Sequence, residues 1–135
     1  MDVEIFHLGD VKFEAVTRGH RVISDQPPDN GGTDSGMTPP EFLLVSLGTC
    51  AGFYAAQYLK TRSLPAEGLR IKVTADKAAQ PARLARFVIE VTAPALNAQH
   101  QAGMLRAVKS CLIHNTLLNT PAIDVVLNSP VAAAA

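Results

Sequence analysis

Apolar and polar positions alternate along three short segments at the start of the chain, which is the pattern of β-strands. The segments cover residues 3–8, residues 11–16 and a stretch that begins at Val22. Gly9-Asp10 between the first two predicts a two-residue hairpin turn. Residues 26–36 hold two prolines and three glycines and therefore predict a loop.

The segment after the loop has the spacing of a long amphipathic helix. Thr38 is the predicted N-cap, Pro39 occupies the first helical position, and Glu41 completes a capping box. Gly48 inside this helix predicts close approach of another backbone, which we expect to be that of a second helix. Apolar side chains recur in steps of three and four along one face: Leu43, Leu47, Cys50, Tyr54 and Tyr58.

A second helix is predicted to begin after Asn97 and to end before Pro121, with a tail at residues 131–135 that we expect to fray. Its buried face is expected at Met104, Val108 and Cys111. Further strands are predicted at residues 69–75, 84–91 and 123–127. The order βββ-α-ββ-α-β predicts a single α+β domain over residues 1–135 that leans towards antiparallel sheets.

Charge and composition restrict the function classes. Twelve basic and twelve acidic residues cancel without a basic cluster, which argues against a nucleic-acid partner. The acidic start, Met1 to Glu4, does not have the pattern of a signal peptide, and no run approaches about 20 consecutive apolar residues. We therefore expect a cytoplasmic protein with reduced thiols and no membrane partner. A charged fraction of only 18% favours a surface partly covered by a second subunit.

Candidate chemistry centres on two cysteines, Cys50 and Cys111, one on the buried face of each predicted helix. A free cysteine in such a place is often a small core residue and nothing more. Two thiols on facing helices also have the arrangement of a reactive thiol and its resolving partner. In such a pair a sulfenic acid on one sulfur condenses with the other to form a disulfide. Both interpretations remain open from the residues alone.

Two motifs around these cysteines resemble the OsmC/Ohr family of osmotically inducible protein C and organic hydroperoxide resistance proteins. The first covers residues 19–27 (GHRVISDQP) and residues 36–50 (GMTPPEFLLVSLGTC), and the second covers residues 110–117 (SCLIHNTL). The resemblance spans roughly residues 11–127. It implies an intertwined homodimer in which antiparallel sheets wrap two long central helices, with the thiol sites at the subunit interface.

The resemblance also implies a reaction, the reduction of small organic hydroperoxides at the expense of a dithiol reductant. Cys50 would be the attacking thiolate and Cys111 the resolving thiol, with no cofactor and no metal ion. An arginine from the N-terminal strands is implied to support the reactive cysteine. Arg18 is the candidate and Arg21 the alternative. Such an arginine would lower the pKa of the thiol.

The glutamate that the family places beside the thiol is where this chain departs from the pattern. That glutamate stands ten residues before the cysteine, a place occupied here by Pro40, whereas Glu41 stands nine before Cys50. Nine residues place Glu41 about 180° around an ideal helix from Cys50. Glu41 is thus a candidate catalytic residue by resemblance, and the capping-box partner of Thr38 by geometry. The departure is typical of a less-characterised branch of the family.

Three other residues have weaker functional signals. His114 lies three residues after Cys111 and would either accept a thiol proton or pack as an ordinary histidine. A Cys-x-x-His spacing without a second half-site is not a metal motif. His20 and Asp25 are expected to have structural roles before the loop.

Two other functions remain beside the peroxidase. One is a module that binds a small apolar ligand and whose cysteines only pack. The other is a thioesterase of the hotdog type, which the second helix and the two motifs disfavour.

Overall fold

The computed structural model describes residues 1–130 as an α+β fold with two antiparallel sheets and three helices, which confirms the predicted fold class. One sheet has the order β1 (Glu4–Gly9), β2 (Lys12–Thr17), β3 (His20–Ser24), and the other pairs β4 (Arg70–Ala79) with β5 (Ala82–Thr92). The helices are α1 (Pro39–Thr61), α2 (Ala98–Lys109) and α3 (Leu112–Leu118). The predicted tail at residues 131–135 lies outside the described residues.

The core lies where α1 packs against β4 and α2. The buried face of α1 differs from the predicted stripe, because it follows small side chains as well as large ones. Leu47 and Tyr58 are buried as expected, but the positions between them are Ala51 and Ala55 rather than Cys50 and Tyr54. Alanines allow neighbouring elements to approach α1 closely. Because alanine contributes little to an apolar pattern, this face was not recognised from the sequence.

The prediction that the second helix approaches Gly48 was wrong. A Cβ atom on Gly48 would lie 3.0 Å from Val73 Cγ2, and one on Gly52 would lie 3.3 Å from Ile71 Cγ1. Both contacts are with β4, so the two glycines allow α1 to lie close to the sheet rather than to the second helix.

The predicted second helix is in fact two helices. The expected buried positions Met104, Val108 and Cys111 are confirmed, and Asn97 is the N-cap residue. The helix stops at Lys109, however, and Cys111 has the extended torsion angles φ −55° and ψ 131°. Cys111 is therefore the N-cap of α3 instead of a residue inside a helix.

The strand predicted at residues 123–127 is absent from the described chain. The segment forms no strand pairing, and its apolar side chains are 78–92% exposed: Ile123, Val125, Val126 and Leu127. A β-strand exists only beside a hydrogen-bonded neighbour, and a single chain supplies none here.

The loop between β3 and α1 is organised by Asp25, which is 1% exposed. Its Oδ2 accepts hydrogen bonds from the backbone N–H and the hydroxyl of Thr33, at 3.1 and 2.9 Å. It also accepts them from the backbone N–H and the hydroxyl of Ser35, at 3.0 and 2.7 Å. Only glycine fits at position 32 of this loop, because a Cβ atom there would collide with the carbonyl of Gln26. The structural role expected for Asp25 is thus the one observed.

Helix α1 is long and apolar enough to cross a membrane by length and composition, which the sequence pattern did not lead us to expect. The core helix of a soluble domain has the same properties, so this observation is weak evidence for a membrane. In the described chain α1 packs against β4 and α2, and 28% of its most apolar stretch is buried.

The Asp25 hydrogen bonds predict an acid-dependent stability. Ser35 and, to a lesser extent, Gln26 and Thr33 lower the pKa of Asp25 well below its usual range, although burial acts in the opposite direction. Stability from this group is therefore complete above the unfolded-state pKa of about 3.9 and is lost as the pH falls below it. We expect Asp25→Asn to lower the melting temperature markedly at pH 7, with a difference from the parent that shrinks below about pH 4.

Circular dichroism melts across this pH range measure the effect, with Asp29→Asn on the exposed part of the same loop as the control. A difference that is constant from pH 7 to pH 3 would contradict the assignment.

Candidate functional site

The two cysteines meet in the structure, as the thiol-pair hypothesis requires. Cys50 lies in the middle of α1, and Cys111 lies at the break between α2 and α3. The two thiols interact directly, and the lowered pKa of Cys50 and the raised pKa of Cys111 correspond to a hydrogen bond in which Cys111 keeps the proton. Cys111 is fully buried, whereas Cys50 is partly exposed, so Cys50 is the better placed of the two residues to meet a reactant.

Opposing effects set the pKa of Cys50. Burial raises it, but the hydrogen bond from Cys111 and those from the backbone N–H groups of Ile113 and Leu112 lower it. The hydrogen bonds prevail, so the pKa of Cys50 lies below the ordinary value for a cysteine. Hydrogen bonds to the charged form favour that form, and the thiolate is the nucleophilic species.

The pKa of Cys111 is displaced in the other direction. Burial raises it, and so does the hydrogen bond to Cys50, because the thiol must keep its proton to donate. Backbone N–H groups of His114 and Ile113 counteract this in part, and the His114 N–H lies 3.4 Å from the Cys111 sulfur. The pair therefore combines a partly exposed cysteine whose pKa is lowered with a buried cysteine whose pKa is raised.

The predicted arginines are elsewhere in the single chain. Arg18 and Gly19 form the two-residue turn between β2 and β3, both with positive φ, and Arg18 is exposed. Arg21 donates to Glu14 across the same sheet at 2.8 Å. Neither arginine contributes to the pKa shift of either thiol. Within residues 1–130 the fold thus brings neither Arg18 nor Arg21 to Cys50.

Glu41 is engaged at the start of α1. Its carboxylate accepts hydrogen bonds from the backbone N–H of Thr38 at 2.7 Å and from the Thr38 hydroxyl at 2.9 Å. These bonds lower the pKa of Glu41. The predicted capping box is therefore confirmed, and the structure does not bring Glu41 to the thiols.

His114 lies on the first turn of α3 and lines a cavity of about 610 Å³ between β5, α2 and α3. Its Nδ1 is buried and has no hydrogen-bond partner within the described part of the chain. The other residues around this cavity are mainly apolar and include Leu47, Phe87, Leu105, Val108, Leu117 and Leu118. In residues 1–130 no group of three or more His, Cys, Asp or Glu side chains is placed to hold a metal ion.

Comparison with known protein families identifies the fold. The sequence profile of the OsmC-like protein family matches residues 32–126, which include both cysteines and all three helices. The chain belongs to the OsmC-like family. A comparison with curated protein sequences finds no match.

Solved structures with the OsmC-like fold superpose over most of the chain. A Psychrobacter arcticus protein, described as an osmotic stress induced and detoxification response protein, is 22% identical, with a TM-score of 0.77 over 84% of this chain and 85% of its own. An OsmC-like protein from Mycoplasma pneumoniae is 20% identical, with a TM-score of 0.70 over 88% of this chain and 87% of its own. A Legionella pneumophila OsmC, described as an organic hydroperoxide resistance protein and predicted redox protein, is 14% identical, with a TM-score of 0.61 over 87% of this chain and 88% of its own. At these identities the similarity shows a shared fold.

The backbone amides of Leu112 and Ile113 are the part of this site that sequence reasoning missed. They are free to bind sulfur only because the helix stops at Lys109 and restarts at Leu112. Neither Gly nor Pro marks that break, since the residues between are Ser110 and Cys111. No local sequence signal was available to locate these donors.

The two thiols should differ in reactivity towards an alkylating agent. We expect Cys50 to react with iodoacetamide with a pH midpoint below the usual value of about 8.5 for cysteine, and Cys111 to react more slowly at every pH. Cys111→Ala removes one donor to Cys50 and should shift the Cys50 midpoint upward. Peptide mass spectrometry of time courses between pH 6 and pH 10 measures both rates. Faster labelling of Cys111 than of Cys50 would contradict the assigned asymmetry.

Proposed function

We propose that this OsmC-like protein reduces organic hydroperoxides through a two-thiol cycle in which Cys50 attacks and Cys111 resolves. The observation that carries the proposal is the contact between the two thiols, with partly exposed Cys50 beside fully buried Cys111. The lowered pKa of Cys50 and the raised pKa of Cys111 support the assignment of their roles. Cores that merely bury cysteines have no need for this difference. Family membership supports a redox role, and the hydroperoxide and the peroxidase activity are our proposal.

The proposed reaction has two steps on this chain. The Cys50 thiolate attacks the terminal peroxide oxygen, a sulfur–oxygen bond forms, and the oxygen–oxygen bond breaks. The leaving alkoxide takes a proton and departs as an alcohol. Cys111 then attacks the Cys50 sulfenic acid, a disulfide forms, and water leaves. An external dithiol, oxidised in turn to its disulfide, must return both cysteines to thiols before the next cycle.

The geometry supports this order of steps. The hydrogen bond from Cys111 to Cys50 already places the two sulfurs side by side, so the second step needs little movement. Once Cys50 is oxidised it is no longer an anion, and the charge that raises the pKa of Cys111 is gone. Cys111 then loses its proton more readily, and the backbone N–H groups of His114 and Ile113 can stabilise the resulting thiolate.

Glu41 and Arg18 have different places in this proposal. We assign Glu41 to the start of α1 rather than to the thiols, because its carboxylate is occupied by Thr38. Arg18 remains a predicted supporting residue that only a second copy of the chain could deliver to Cys50. We also propose a cytoplasmic location, where the thiols would be kept reduced between cycles.

A homodimer is the second part of the proposal, and exposed apolar surface supports it. One face of the β1–β3 sheet presents Ile5, Phe13 and Val22, which are 37–59% exposed. With Pro39 and Phe42 these residues line an open cavity of about 360 Å³. The segment at residues 123–127 adds further exposed apolar side chains. A second copy of the chain would cover these surfaces.

The peroxidase proposal is tested by mass spectrometry of the reduced protein after one equivalent of cumene hydroperoxide. We expect a rapid loss of two hydrogens, because one disulfide forms for each hydroperoxide reduced. Cys50→Ser should abolish the change, whereas Cys111→Ser should retain one added oxygen as a sulfenic acid on Cys50. Glu41→Gln should behave like the parent.

No change in mass over minutes would contradict the peroxidase. A binding module in which the cysteines only pack would then be the better description, and the apolar cavity beside His114 would be its natural ligand site.

The dimer is tested by light scattering coupled to size-exclusion chromatography. We expect twice the mass of one chain for the parent and a shift towards one chain for Val22→Glu. Since Val22 is 43% exposed in the single chain, the substitution should not disturb the fold of one subunit. Glu4→Lys, which changes a charge on an exposed position of β1, is the matched control. A monomeric parent would contradict the proposed assembly.

A further inference from the structure

We propose that the cavity between β5, α2 and α3 binds an apolar molecule through a hydroxyl or hydroperoxyl group, and that the imidazole of His114 holds this group. The inference rests on the proposed function only for the identity of the ligand. Its physical basis is one buried, unsatisfied polar atom on a residue that lines a mainly apolar cavity.

The unsatisfied atom is Nδ1 of His114. Among the residues that the structure describes, it is the one buried side-chain nitrogen or oxygen without a hydrogen-bond partner. Leaving such a group unpaired costs about 1–3 kcal/mol, so proteins rarely bury one without a use. The neighbouring protein groups do not satisfy it, although the backbone N–H of the same residue is bonded to Cys111.

The cavity determines what kind of molecule could satisfy it. About 610 Å³ is enough for a molecule of the size of an aromatic or medium-chain hydroperoxide, and the walls are mainly apolar. Two cations also line it, but both are exposed, and Arg86 has its own partner in Asp76 at 3.5 Å. A largely apolar molecule with one neutral hydrogen-bonding group therefore fits better than an anion.

The position of the cavity links this ligand to the thiols. Leu47 forms part of its lining and precedes Cys50 by three residues on α1, which is about 4.5 Å along the helix axis. On the other side His114 follows Cys111 by three residues. A ligand held by His114 would thus lie about one helical turn from each cysteine, with its polar end towards the first turn of α3.

Binding requires a small movement of the imidazole, since Nδ1 is buried in the unliganded chain. Rotation about the Cβ–Cγ bond would turn a ring nitrogen towards the cavity. Neutral imidazole has one nitrogen that accepts and one that donates, so the accepting nitrogen would receive the ligand O–H. His114 is in this proposal a residue that binds and orients the substrate, and the sulfur chemistry stays with Cys50.

The test compares two inert probes that differ in one group, 2-phenylpropan-2-ol and tert-butylbenzene, where a methyl group replaces the hydroxyl. Affinities of the reduced protein are measured by ligand-detected NMR titration. We expect the preference for the alcohol over the hydrocarbon to fall about five- to tenfold in His114→Phe, the effect of losing one hydrogen bond. Leu117→Ala, which alters the apolar wall, should weaken both probes and leave their ratio unchanged.

A second measurement uses the parent protein and does not depend on how well the variants fold. Long-range proton–nitrogen correlation spectra should show the imidazole nitrogens of His114 shifting on addition of the alcohol and not of the hydrocarbon. An unchanged affinity ratio in His114→Phe would overturn the proposal. So would failure of the parent to bind either probe, as expected if a second copy of the chain fills the cavity.

The outcome is separate from that of the peroxidase test, because neither probe can oxidise a thiol. If the ratio falls as expected while cumene hydroperoxide leaves Cys50 unchanged, the ligand site stands and the peroxidase does not. If Cys50 is oxidised but the ratio is unaffected, the peroxidase stands and His114 has no part in holding its substrate.

Discussion

The site depends on hydrogen bonds between backbone amides at the start of α3 and the sulfurs of two cysteines. The first N–H groups of any helix have no partners within the helix and must find acceptors elsewhere. In α3 the amides of Leu112, Ile113 and His114 find them in Cys50 and Cys111. The break before α3 and the thiol pair therefore support each other, because a continuous helix would have used these amides internally.

This arrangement explains how two cysteines in one small core acquire different chemistry. Burial raises the pKa of both sulfurs, so the environment alone would make both inert. The difference between the two pKa values arises from the direction of the hydrogen bond between the thiols. Cys111 donates to Cys50 and cannot be ionised while it does so. Exposure follows the same order, with the acceptor partly accessible and the donor fully buried.

Local sequence signals predicted the elements that depend on local interactions. The capping box at Thr38 located the start of α1, and the apolar spacing located Met104 and Val108 in the core. The failures concern contacts between distant parts of the chain. The α2–α3 break lacks Gly and Pro, the close approach at Gly48 involves β4, and residues 123–127 have the composition of a strand without a neighbour in the described chain. A stripe chosen by large side chains also overlooked the buried Ala51 and Ala55.

The absence of a glutamate at position 40 need not leave Cys50 unreactive. The family resemblance implies that an arginine and a glutamate stabilise the thiolate. In the single chain neither Arg18 nor Glu41 is near enough to Cys50 to do so. The pKa of Cys50 is nevertheless lowered, because two backbone N–H groups and the Cys111 thiol supply the donors. The two amide donors are fixed by the backbone and survive side-chain substitution. A branch of the family could therefore lose the glutamate and keep a nucleophilic thiol, with binding of the peroxide left to other residues of the site.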